Sequence, residues 1–157
     1  MKERIDGEHP FGDIGQLLFF LFFLFVWILD SFFLKKSIFL ADYVPFVIRI
    51  ALSAAILSLA FVLYKDSKRV INHKTGPVTV ISDGVFKLVR HPLYLSTFLI
   101  FAALTIFSLS LFSFAVLFAM FIFFDYISGF EEKVMEKKFG RKYLEYKNKT
   151  GKWLPKL

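Results

Sequence analysis

Residues 93–127 read LYLSTFLIFAALTIFSLSLFSFAVLFAMFIFFDYI, with one charge, Asp125, in 35 positions. A helix rising 1.5 Å per residue crosses a hydrocarbon core of about 30 Å in roughly 20 residues. The tract is too long for one crossing and just long enough for two short ones. Ser108 and Ser110 mark the turn, so the expectation is a tight hairpin of two membrane helices, short spans being tolerated at modest cost. One long tilted or interfacial helix is the alternative.

Upstream, two further apolar blocks are expected to span. Ile14 to Leu34 carries no charge except Asp30, which lies near its end and reads as an interface residue. The block lacks a small-residue cleavage site and is expected to be retained. Lys35 and Lys36 mark the far interface, and Pro45 suits the first turn of a second helix over Val44–Tyr64. Arg49 can snorkel back from that helix to the surface. Ser53, Ala54, Ala55, Ser58 and Ala60 give it a small-residue face fit for close packing.

Residues 65–90 form the long polar stretch between spans, including Asn72, His73, the turn Thr75-Gly76-Pro77 and the β-prone run Val78-Thr79-Val80-Ile81. A loop of that length is more often functional than idle. Beyond the hairpin, Glu131, Met135, Phe139 and Tyr143 recur every four residues, the pattern of an amphipathic helix lying on the membrane or the bundle. Gly140 is expected to break or bend it, and Trp153 with Pro155 to close the tail at the interface.

The fold class expected is therefore all-α: a bundle of about four transmembrane helices plus a C-terminal amphipathic helix. Residues 1–64 would be a two-helix anchor and 65–157 the functional core. With four spans, two cations at the N-terminus, six in 65–92 and nine in the tail share one side, against three between 35 and 49. Cations gather on the cytoplasmic side, so both termini are expected there.

Composition narrows the chemistry. The chain has 157 residues, is 57% hydrophobic and holds 23 phenylalanines. Its net charge of +7 suits anionic lipid better than nucleic acid. The absence of cysteine removes disulfides, thiolate nucleophiles and iron–sulfur clusters. Three histidines without ligand spacing, His9, His73 and His91, argue against a metal site. There is no phosphate loop, dinucleotide fingerprint or nucleophile elbow.

What remains is Arg90-His91-Pro92-Leu93-Tyr94, which packs a guanidinium, an imidazole, a helix-starting proline and a phenol into five residues at the mouth of the hairpin. A hairpin leaving at Leu93 and returning near Ile127 sets its two ends side by side. His91 and Tyr94 can then neighbour Glu131 and Glu132, almost forty residues later. Glu131 lies on the apolar stripe of its helix, and a carboxylate turned inward needs a partner. Arg90, His91, Tyr94, Asn72 and His73 are the candidates.

The run Gly84–Tyr94, a helical hairpin, then Glu131-Glu132, Phe139-Gly140, Tyr143, Tyr146 and Trp153-Leu154-Pro155 resembles the isoprenylcysteine carboxyl methyltransferase and phospholipid methyltransferase family. The resemblance covers roughly residues 70–157 and does not reach the first two helices. It implies an integral membrane enzyme that transfers a methyl group from S-adenosylmethionine to a lipid-like or hydrophobic small molecule, releasing S-adenosylhomocysteine. By position, it assigns cofactor contacts to Asn72 or His73, to Val78, Thr79, Val80 and Ile81, to Phe86, to Arg90, His91, Pro92, Leu93 and Tyr94, and to Glu131. If the acceptor is an amine it must lose a proton, for which His91 or Glu132 would serve. Two departures stand out. Ile127 occupies the position where the prenylcysteine enzymes place a substrate-binding arginine, which argues against a free carboxylate as acceptor unless Arg49 or Arg90 substitutes. Phe86 replaces the more usual tyrosine, keeping stacking and losing a hydroxyl. Membrane sterol reductases, which bind NADPH, look similar in the C-terminal region, but this chain is short for that group. A non-catalytic protein with a degenerate cofactor site is the remaining alternative.

Overall fold

The computed structural model describes residues 12–73 and 79–156, with side chains from Ile14 to Asn72 and from Thr79 onward. Five helices follow in order: α1 (Gly12–Ile28), α2 (Phe46–His73), α3 (Pro92–Ser108), α4 (Leu111–Phe139) and α5 (Arg141–Lys149). Among the described residues there is no strand. Three stretches, Ile14–Leu34, Phe46–Asn72 and Leu111–Phe139, are long and apolar enough to cross a membrane, and α3 is a shorter apolar helix. Large apolar side chains point outward along them, Phe25 at 62% exposure and Val47 at 76%. That is what lipid, not water, permits.

The hairpin forms as expected. Leu109 takes the left-handed conformation at φ 54° and its N–H closes on the Thr105 carbonyl at 2.7 Å. Ser110 then caps α4 by accepting the Ser113 N–H at 3.1 Å. Phe23 of α1, Phe101 of α3, and Val116, Leu117, Met120 and Phe124 of α4 make the buried core. Helix α2 lies against α3, where the Ser53 hydroxyl donates to the Ala103 carbonyl at 2.9 Å. Of its small residues, Ser53 and Ala60 are buried in that contact, whereas Ala54, Ala55 and Ser58 face outward. Arg49 does not simply snorkel: one of its terminal nitrogens donates to the Phe107 carbonyl at 3.0 Å, tying α2 to the end of α3.

Three local readings change. Helix α2 does not stop near Tyr64 but continues to His73, so the loop is shorter than expected. Helix α4 runs unbroken through Glu131, so no separate helix starts there, while the break comes as expected at Gly140, whose φ is 54°. Tyr143 therefore sits on a separate helix, not on one stripe with Glu131. At 28 and 29 residues, α2 and α4 extend about 42 and 44 Å, each roughly two turns longer than a hydrocarbon core of about 30 Å, and their extra turns project past the head of α3. The site is built between those projections.

The third change is Asp30. It is 1% exposed, not at an interfacial water layer. The chain leaves α1 through a π-helical turn, Leu29–Leu34, and Lys35 reverses it at φ 51°. This folds residues 35–37 back under the carboxylate. Asp30 accepts the Lys36 and Ser37 N–H groups at 3.1 and 3.2 Å and the Ser37 and Ser110 hydroxyls at 2.5 and 2.6 Å. Four donors replace the lost water.

Candidate functional site

Arg90 and His91 reach the head of α3 through a short 3₁₀ turn, Gly84–Lys87. Gly84 has φ +56° and sits so close to α2 that a Cβ would come within 2.4 Å of Asp66 Oδ2. The same Asp66 oxygen accepts the Val85 N–H at 2.8 Å, while its other oxygen pairs with Arg69. The projecting end of α2 thus pins the turn. Pro92 then opens α3 as its first residue, where a missing N–H costs nothing.

The tail closes over this turn. Val89 and Gly151 pair as a parallel bridge, with Arg90 N–H donating to the Gly151 carbonyl at 2.9 Å. Gly151 has to be glycine, since a Cβ would meet the Leu154 carbonyl oxygen at 1.5 Å. Tyr146 donates from its hydroxyl to the Phe86 carbonyl at 2.8 Å. Burial pushes the Tyr146 hydroxyl up to about 12, so it remains a donor.

At the centre lies Glu132, 5% exposed. Arg90 Nε donates to its Oε1 at 2.8 Å, His91 Nε2 lies 3.3 Å from the same oxygen, and Lys147 Nζ is 3.0 Å from Oε2. Arg90 also donates to the Thr150 and Lys147 carbonyls at 2.5 and 3.3 Å. Lys147 is shared with Glu136 at 2.6 Å, a hydrogen bond that holds its ammonium above the usual lysine range. Glu131 is less deep, its side chain 17% exposed. It accepts the Tyr94 hydroxyl at 2.5 Å and lies 3.7 Å from His91 Nδ1. The more deeply buried carboxylate is therefore Glu132, not Glu131. The reason is direction: adjacent positions on α4 point about 100° apart, and the Glu132 side faces Arg90 and the Lys147 of α5.

The imidazole of His91 stacks on Tyr94 at 5.8 Å and lies 6.0 Å from the Trp153 ring. Burial lowers its pKa from the usual 6.5, and the hydrogen bond to Glu132 opposes this only in part. The folded protein therefore binds fewer protons at His91 than the unfolded chain in the window below 6.5. Stability is expected to be full above about pH 6.5 and to fall as pH drops through the lowered value. Melting curves in detergent across that window should show the slope in the native chain and lose it in His91→Gln.

Of the remaining candidates, Asn72 is exposed in the last turn of α2, and Thr79, Val80 and Ile81 form irregular chain instead of a strand. Phe86 lies in the 3₁₀ turn, half-buried. The side chain of His73, and Val78 as a whole, lie outside the described residues. Ile127 is fully buried in the core. Neither arginine takes its place: Arg90 is committed to Glu132 and the tail, and Arg49 sits at the other end of α3, 17 residues or about 25 Å away. Lys147, Thr150 and Trp153 went unassigned to the site in the sequence. Only the reversal at Gly140 brings them to it, although Lys147 and Tyr146 sit on the most amphipathic helix.

The donor set fits S-adenosylmethionine. A neutral imidazole and the Tyr94 and Trp153 rings offer polar and stacking surfaces, and Glu131 offers a carboxylate for hydroxyls or an ammonium. A sequence profile described as phospholipid methyltransferase matches residues 43–142. No curated protein and no solved structure matches the chain.

Proposed function

The chain belongs to the phospholipid methyltransferase family, and on that premise we propose that it transfers a methyl group from S-adenosylmethionine to an amine carried by a membrane lipid, at the cytoplasmic face. Residues 1–64 would serve chiefly as anchor and 65–157 as the catalytic core. The reading is carried by one observation: the head of α3 and the projecting part of α4 meet in a largely buried cluster of Arg90, His91, Tyr94, Glu131 and Glu132.

When bound, S-adenosylmethionine supplies a sulfonium methyl for in-line displacement and leaves as S-adenosylhomocysteine. Such a displacement demands alignment and exclusion of water above all. Glu131, held by Tyr94, would bind hydroxyls or the ammonium of the cofactor, with Phe86 and Thr79, Val80 and Ile81 beside the adenine. Glu132 accepts from Arg90, His91 and Lys147 together, so its work is to fix those three, not to take a proton. A neutral His91 donating from Nε2 to Glu132 keeps Nδ1 as an acceptor. It can receive the proton that an acceptor ammonium must shed before its nitrogen lone pair attacks. The buried, uncharged Ile127 supports an amine over a free carboxylate, because among the described residues the two arginines that could substitute for a missing cation, Arg49 and Arg90, are committed to other partners.

Equilibrium binding of labelled S-adenosylmethionine to detergent-purified protein tests the reading. Micromolar binding is expected, and Glu131→Ala should weaken it by about two orders of magnitude or more while shifting the melting temperature little. NADPH binding in place of S-adenosylmethionine binding would sink the proposal. Persistent binding in Glu131→Ala would remove that carboxylate from it.

A further inference from the structure

Asp125 is the one charge in the apolar tract, and nothing in the cofactor site uses it. It lies 14 residues along α4, about 21 Å from its start, and about 9 Å on the bilayer side of Glu131. The side chain is 51% exposed.

A primary ammonium already sits on it. Lys152 Nζ lies 2.5 Å from Asp125 Oδ1 and 2.9 Å from the Asp125 carbonyl oxygen. The same nitrogen is 5.8 Å from the centre of the Trp153 ring. The Trp153 indole N–H donates to Asp125 Oδ1 at 2.9 Å, which fixes the ring beside the carboxylate. Gly129, one turn further along α4, contributes no side chain, and a Cβ there would stand 3.7 Å from Nζ. A carboxylate, a carbonyl and an aromatic face are the groups that together recognise an alkylammonium. The cradle adjoins the cofactor site through Trp153, which lies 6.0 Å from His91 and 5.6 Å from Phe121.

Resting on the methyl-transfer reading above, we propose that Asp125 and the face of Trp153 form the subsite for the acceptor lipid's ammonium, and that Lys152 occupies it as a tethered surrogate which the lipid displaces. Asp125 is open on one side while the Lys152 side chain is 22% exposed, and the flexible lysine stem lets that ammonium withdraw toward the surface as another enters. This is a holding site: the ammonium sheds its proton only after it has moved past Trp153 to within hydrogen-bond reach of His91.

The test uses soluble short-chain phosphatidylethanolamine, with short-chain phosphatidylglycerol as the anionic control, titrated calorimetrically into the detergent-purified full chain. Asp125→Asn should weaken phosphatidylethanolamine binding about tenfold. Lys152→Met, which removes the competitor, should tighten it several-fold. Neither should alter phosphatidylglycerol or S-adenosylmethionine binding. The inference is overturned if Asp125→Asn leaves the amine lipid's affinity unchanged. It is equally overturned if Lys152→Met weakens it, or if S-adenosylmethionine binding falls in parallel in either variant, since both results would make the cluster only a latch for the tail. Absence of S-adenosylmethionine binding in the unaltered chain would instead strike the methyltransferase reading, independently of the lipid titrations.

Discussion

Arg90→Met is expected to abolish S-adenosylmethionine binding and to cost roughly 3–5 kcal/mol of stability, the range for removing one partner of a buried ion pair. The side chains of Arg90 and Glu132 are 8% and 6% exposed, so little water can replace the lost guanidinium. The substitution also strips a donor from the Thr150 and Lys147 carbonyls, which hold the tail against the head of α3. Thermal unfolding in detergent and labelled-cofactor binding measure the two effects separately. The double variant Arg90→Met/Glu132→Leu should recover much of the stability, because no unpaired charge remains buried, and should recover none of the binding. An unchanged melting temperature in Arg90→Met would show that the pair is solvated and that the tail is held by other contacts.

Asp30→Ala is expected to be as damaging to stability and harmless to the site. It leaves two backbone N–H groups and two hydroxyls without an acceptor at a position 1% exposed. Each orphaned buried donor costs about 1–3 kcal/mol, partly recovered where a serine rotates to another acceptor. A total loss on the order of 3 kcal/mol or more follows. Asp30→Asn keeps one acceptor oxygen and should fall between. Because the cluster lies at the Ser110 end of the hairpin, about 25 Å from the head of α3, the folded fraction of either variant should bind S-adenosylmethionine with native affinity. Loss of affinity in a folded Asp30→Asn protein would mean that the two ends of the bundle are coupled.

These two residues also mark how far the chain can be read without its fold. The hairpin was legible because a 35-residue apolar tract with serines near its middle has few ways to cross a 30 Å layer. The pairing of Arg90–Tyr94 with Glu131 and Glu132 followed from it, since a hairpin must return its ends to one side. Which carboxylate is buried did not follow. The break at Gly140 was expected, but periodicity carries no information about the direction in which a backbone reversal at φ 54° sends the chain. For the same reason Lys147, Thr150 and Trp153 were invisible as site residues.

Asp30 shows the complementary case. A carboxylate near the end of an apolar block has two cheap solutions, interfacial water or a full set of protein donors. The choice rests on residues 35–37 folding back and on Ser110 arriving from the hairpin turn, 80 positions away. Sequence alone determined that this protein is a helical membrane bundle with one polar end, because hydrocarbon tolerates no unpaired backbone and dictates helix lengths. Only the tertiary structure decided which polar groups satisfy one another, because hydrogen bonds are directional and short, and a pattern of residue types does not fix atoms to within an ångström.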